Sequence, residues 1–209
     1  MPTGHIAERV LVWASALVPA ALLLLRAFEW SVVDVVSVFG IFFIDAAVWL
    51  AMAGCTIWAL VHAIRGRRRG RRAARPFLVC FSASLLAVFF PFTHTWLNAN
   101  YHWLRPSRMR VVEMVEAGAL RSNSADTSAI IALPPGSPHV SMGGNDIIVE
   151  SHDGRRYVFF FTFRGILDNY SGFLFVPDGG DPRRFGDLGE ENSTQLVAYD
   201  EHWYFAAHR

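Results

Sequence analysis

Cysteine is scarce in this sequence, lysine is absent, and long stretches carry no charge. The two cysteines, Cys55 and Cys80, both fall inside apolar runs. The C-terminal half therefore has neither a disulfide framework nor a cysteine-based zinc site. All 19 basic residues are arginine, which we read as the coding bias of a GC-rich, bacterial genome rather than as chemistry. There is no G-x-S-x-G elbow, no H-E-x-x-H pair and no glycine-rich phosphate loop, so the motif-borne hydrolase, zinc-protease and nucleotide-binding classes have no support. No internal repeat suggests a solenoid or propeller.

What is present divides in two. The composition is 53% hydrophobic with a mean hydropathy of +0.28. The net charge of +1 hides an asymmetry: residues 1–105 hold ten arginines against four acidic residues, and 106–209 hold nine against fourteen. Val10–Leu25 is charge-free between Arg9 and Arg26, whose long side chains can snorkel to headgroups. From Trp30 to Ile64 there is no arginine or lysine. As one straight helix that stretch would reach ~52 Å, too long for a bilayer. Asp34, Ser37, Gly40 and Asp45 interrupt its first part, which places an interfacial segment over 29–40 and a span after it. The third run, from Phe77 to Leu97, ends among Trp96, Tyr101 and Trp103, rings suited to the headgroup level. The expected architecture is a membrane anchor over 1–104, with three transmembrane helices at about 9–28, 42–64 and 77–97, followed by a small extracytoplasmic domain over 105–209.

The segment between the second and third runs, "RGRRRGRRAAR", carries Arg65, Arg67, Arg68, Arg69, Arg71, Arg72 and Arg75. Short arginine-rich loops stay cytoplasmic, because their translocation is opposed by desolvation and by the membrane potential. With no aromatic residue for base stacking and both ends tethered, the loop is not expected to bind nucleic acid. It predicts a multi-pass protein of the plasma (inner) membrane, with a cytoplasmic N-terminus and a periplasmic C-terminal domain.

That domain reads as α+β: an antiparallel, β-rich sheet plus one short helix. Ser107 can cap a helix over 108–117, with Gly118 as its stop. Strands are expected at 129–133, 139–142 and 173–176. In "DIIVESHDGRRYVFFFTF" the Asp153-Gly154 pair predicts a two-residue type I′ turn. That turn fixes the pairs His152 with Arg155, Glu150 with Tyr157, Val149 with Val158 and Ile148 with Phe159. Alternation then puts Ile148, Tyr157, Phe159, Phe161 and Phe163 on one face and Ile147, Val149, Val158 and Phe160 on the other. Both faces are apolar, so the hairpin belongs near the centre of a sheet covered on both sides, one of them by the helix. A second hairpin closes the chain, turning near Asp200 and Glu201.

Candidate chemistry is sparse. His94, Asn98 and His102 share a helical spacing but lack a carboxylate ligand. Asp45 lies near one end of its span, where water can solvate it. Asp178, Asp181 and Asp187 do not follow calcium-loop spacing. Ser151, His152, Asp153 and Asp168 form no recognisable triad. No catalytic residue, cofactor or metal is assigned, and the chain is read as a non-enzyme. Besides membrane lipids, its expected partner is another envelope or secreted protein, in an accessory or immunity-type role. Tyr170, His202 and Trp203, each beside a turn, are the expected contact residues. The alternatives are a ligand sensor that signals through a partner, and a membrane-embedded enzyme or transporter subunit.

Overall fold

A computed structural model describes residues 3–66, 71–120, 128–165, 169–186 and 194–208. It holds three helices and a six-stranded antiparallel sheet, in two compact units, residues 1–96 and 97–209. Arg67, Arg68 and Arg69 of the cationic run, together with Asp168 and Asp187, lie outside the described residues.

The first unit contains α1 (Thr3–Arg65) and α2 (Arg71–Phe89). Two stretches, Glu8–Arg65 and Arg72–Phe89, are long and apolar enough to cross a membrane. A straight helix of α1's length would extend ~95 Å, yet Leu22 and Met52 share one buried cluster and Arg26 lies 3.3 Å from Asp45. The helix therefore doubles back. It does so at two interruptions, Phe28 (φ −114, ψ 16) and Ser37 (φ 69, ψ 168), and the segment expected to stand apart over 29–40 is the region around them. Arg26 also pairs with Glu29 at 3.0 Å, so Asp45 and Glu29 share one arginine. Buried positions recur at helical spacing on each arm: Leu11, Ser15 and Leu22, then Met52, Cys55 and Ala59, and on α2 Ala73, Cys80, Ala83 and Ala87. Small side chains on such a stripe let helix backbones approach closely.

α2 ends at Phe89, short of the expected Leu97. Pro91 disfavours helical backbone at the residue before it and offers no N–H. The Phe90 N–H closes the last turn on the Leu86 carbonyl at 3.0 Å, and α3 starts at Phe92 and runs to Glu116. The separate helix expected over 108–117 is the end of α3, and Ser107, expected as its cap, lies inside that helix beside Pro106. The stop is as expected. Gly118 has φ +70, its N–H donates to the Val115 carbonyl at 3.0 Å, and that of Ala119 donates to Met114 at 2.9 Å, a Schellman closure.

The strands of the second unit are β1 (Ser128–Ala132), β2 (Asp146–His152), β3 (Arg155–Arg164), β4 (Tyr170–Phe175), β5 (Thr194–Asp200) and β6 (Trp203–His208), in the sheet order β1-β2-β3-β4-β6-β5. The β2–β3 register has all four expected pairs, and Asp153 and Gly154 both take positive φ. Residues 139–142 are not a strand. Val140 and Ser141 instead donate their N–H groups to the Asn145 side chain at 2.9 and 3.2 Å, and a single ladder-like bond, Met142 N–H to the Phe161 carbonyl at 2.9 Å, reaches the sheet.

The hairpin's two apolar faces are both covered. Ile147, Val158, Phe160, Phe173 and Trp203 pack with Tyr101, Val111, Val112 and Val115 of α3. Tyr157, Phe159, Phe161 and Leu174 pack beneath Phe185. At Gly172 on β4, a Cβ would collide with the Phe160 carbonyl oxygen, so this strand crossing admits only glycine.

Candidate interaction surface

The layer over the second face is a strap, residues 176–186, that connects the end of β4 to the approach of β5. Its entry is tied by Val176, whose N–H donates to the His202 carbonyl at 2.8 Å, and Gly180 N–H closes a turn on the Pro177 carbonyl at 2.9 Å. Arg155 Nε donates to the Asp178 carbonyl at 3.0 Å, and the Tyr157 hydroxyl accepts from Asp181 N–H at 3.1 Å. The Asp181 carboxylate caps a short 3-10 turn over Pro182–Arg184, and Arg184 pairs with Asp153. Phe185 then inserts its ring parallel to Phe159 at 5.4 Å. Gly186 N–H donates at 2.7 Å to Glu150, whose carboxylate also meets His152 at 3.2 Å. Asp178 and Asp181 thus serve the strap separately. Among the described residues, no group of three or more His, Cys, Asp or Glu could hold a metal ion.

The three expected contact residues fare differently. Trp203 is a correction: it is 1% exposed and packs on Phe160 and Phe175 at 5.8 and 5.5 Å. Proximity to a turn does not override strand alternation. As the first residue of β6, opposite Phe175, Trp203 already faces α3. His202, in the turn itself, is half-buried, with its ring 6.0 Å from Phe175 and its Nε2 3.5 Å from the carboxylate of Asp178, which is 97% exposed. Tyr170 is half-buried, edge-on to Phe159 at 5.4 Å and stacked on His208 at 5.5 Å.

Two further groups were not singled out from the sequence. Arg108 is 1% exposed, donates to the Val140 carbonyl at 3.1 Å and to Asn100 at 2.7 Å, and lies over Phe173 at 4.8 Å. Burial pulls its pKa down to about 9, so it keeps its charge at neutral pH. Its spacing to Val111, Val112 and Val115 was the available signal, because it puts the arginine on the buried helix face. At the far end of β5, Asp200 receives Arg105 at 2.8 Å and the Tyr101 hydroxyl at 3.2 Å. Its carboxyl is held below the usual range, first by the Glu201 N–H and then by Tyr101 and Arg105.

With both faces filled, the parts of the sheet that the described residues leave accessible are its edges. β1 and β5 are the outermost strands, and Ile130 and Val197 on them are 54% and 40% exposed. His202 borders the β5 end. Comparison with protein families, with curated proteins and with solved structures yields no match.

Proposed function

We propose that this protein is a non-catalytic, membrane-anchored display protein that presents its α+β domain outside the cytoplasm to bind another envelope or secreted protein, in an accessory or immunity-type role. Three helical arms cross the inner membrane: the two halves of α1 on either side of the Phe28–Ser37 interruptions, and α2. The arginine run between α1 and α2 is held in the cytoplasm. The N-terminus then lies inside, the α1 reversal outside, and the C-terminal domain outside.

The observation that carries the binding reading is the closed sheet with a β5 edge that is open among the described residues. Side chains of α3 and of the strap fill the two faces, whereas β5 ends the sheet with Val197 exposed at its middle. An outermost strand offers unpaired backbone donors and acceptors to an incoming strand, which gives affinity through main-chain hydrogen bonds and specificity through alternate side chains. His202, at the end of that strand, adds a polar rim contact.

Photo-crosslinking in intact membranes tests this. A crosslinking residue at Val197 or Gln195 is expected to give one discrete protein adduct, and one at Ile130 on the opposite edge none. Adducts from Ile130 alone, or none from either edge, would reject β5 as the docking strand.

A further inference from the structure

We propose that Met52, Cys55 and Cys80 form a binding site for a soft monovalent cation of the Cu(I) class inside the first unit. Cys55, on the second arm of α1, and Cys80, on α2, bring their sulfurs to 3.6 Å. Both thiols are free, and Met52, 1% exposed, shares their buried cluster. Met52 precedes Cys55 by three residues and so shares its helix face.

Sulfurs bound to one such ion at ~2.3 Å stand roughly 3.7–4.0 Å apart, so this pair closes on a metal with a shift of a few tenths of an ångström. Two thiols and a thioether are soft donors, which favour Cu(I) over cations that need carboxylate or imidazole. Coordination number selects in the same direction: both thiols lose their protons to water on binding, as metal-bound cysteines do, and two thiolates with a thioether give Cu(I) a three-sulfur shell, whereas zinc wants a fourth ligand. Packing alone does not call for sulfur here, since alanine fills the neighbouring buried positions 73, 83 and 87 of α2.

The test uses the full-length protein in detergent, without oxygen, titrated with Cu(I) against a chromogenic Cu(I) chelator. The expected result is one copper retained per chain and an X-ray absorption spectrum with a sulfur-only first shell. Loss of a mere outer-shell partner costs about 10–100-fold in affinity, so removal of a ligand in Cys55→Ala or Cys80→Ala should cost more than about 100-fold, and Met52→Leu less than either. Copper lost to the chelator, a shell containing nitrogen or oxygen, retention by the double Cys→Ala variant, or a Cys55–Cys80 disulfide with no copper held would each overturn the site. If the cysteine variants lose their helical signal, the sulfur shell of the unsubstituted protein still decides.

Discussion

Phe185→Ala tests how the second face of the sheet is sealed. Phe185 is 1% exposed and is the strap's main apolar contribution to the cluster of Tyr157, Phe159, Phe161 and Leu174. The strap's polar ties are the hydrogen bonds from Gly186 to Glu150, from Asp181 to Tyr157 and from Arg155 to Asp178. Each such bond contributes only about 1 kcal/mol net, and the exposed Arg184–Asp153 pair adds little. Removing a buried phenyl ring costs ~3–5 kcal/mol. A strap that comes away leaves no enclosed cavity, so the lower end, about 3 kcal/mol, is expected here. That loss is comparable to all the polar ties together, so the strap should also detach in the native state and leave Phe159 open to solvent. Urea unfolding of residues 97–209, followed by circular dichroism, should show the midpoint lowered and the slope reduced, because less surface remains to be exposed. Hydrogen exchange at Gly186 should accelerate. A loss below about 1 kcal/mol with an unchanged slope would refute the idea that this ring holds the strap.

Other expectations follow from the same packing. Residues 97–209 expressed alone should fold, with a strand-dominated circular dichroism spectrum and a minor helical part; an all-helical spectrum would contradict the sheet. Gly172→Ala should cost ~2 kcal/mol or more, read from the same urea curves, because the clash is with the Phe160 backbone. Trp203→Ala should unfold or strongly destabilise that domain, whereas His202→Ala should keep its melting curve and weaken partner capture by about 1 kcal/mol. Burial raises the Tyr199 phenol above its ordinary value. From about pH 10 upward the unfolded chain therefore gives up a proton that the folded chain retains, and stability falls as pH rises. Arg108, lowered to about 9, works in the opposite sense over that range. Urea curves of Tyr199→Phe against the parent isolate the tyrosine, and the variant should decline less steeply.

Legibility in the sequence followed the range of the interactions. The β2–β3 hairpin could be read residue by residue because Asp153-Gly154 sets its turn and the turn sets the register. Gly118 marked the end of α3 for the same local reason. Its beginning was hidden, because Pro106-Ser107 imitates a helix start. Tyr101 and Arg105, upstream of the proline, bind Asp200 on β5, a tertiary tie that favours helix through the site. The burial of Trp203 depends on its pairing opposite Phe175, which no neighbouring residue reveals. The Cys55–Cys80 approach depended on where the helices end: Cys55 lies ten residues before the end of α1 and Cys80 nine after the start of α2, so the antiparallel α1–α2 hairpin brings them level. The open edge of β5 required knowledge that β6 inserts beside β4, and no spacing in the sequence encodes that.

Orientation of the C-terminal domain is the claim on which the rest depends, and a reporter active only outside the cytoplasm measures it directly. Fused after Arg209 it should be active, and inserted at Gly70 it should be silent, with replacement of the seven arginines from Arg65 to Arg75 by glutamine giving mixed populations. A silent C-terminal fusion together with an active one at Gly70 would place the domain in the cytoplasm and contradict the account.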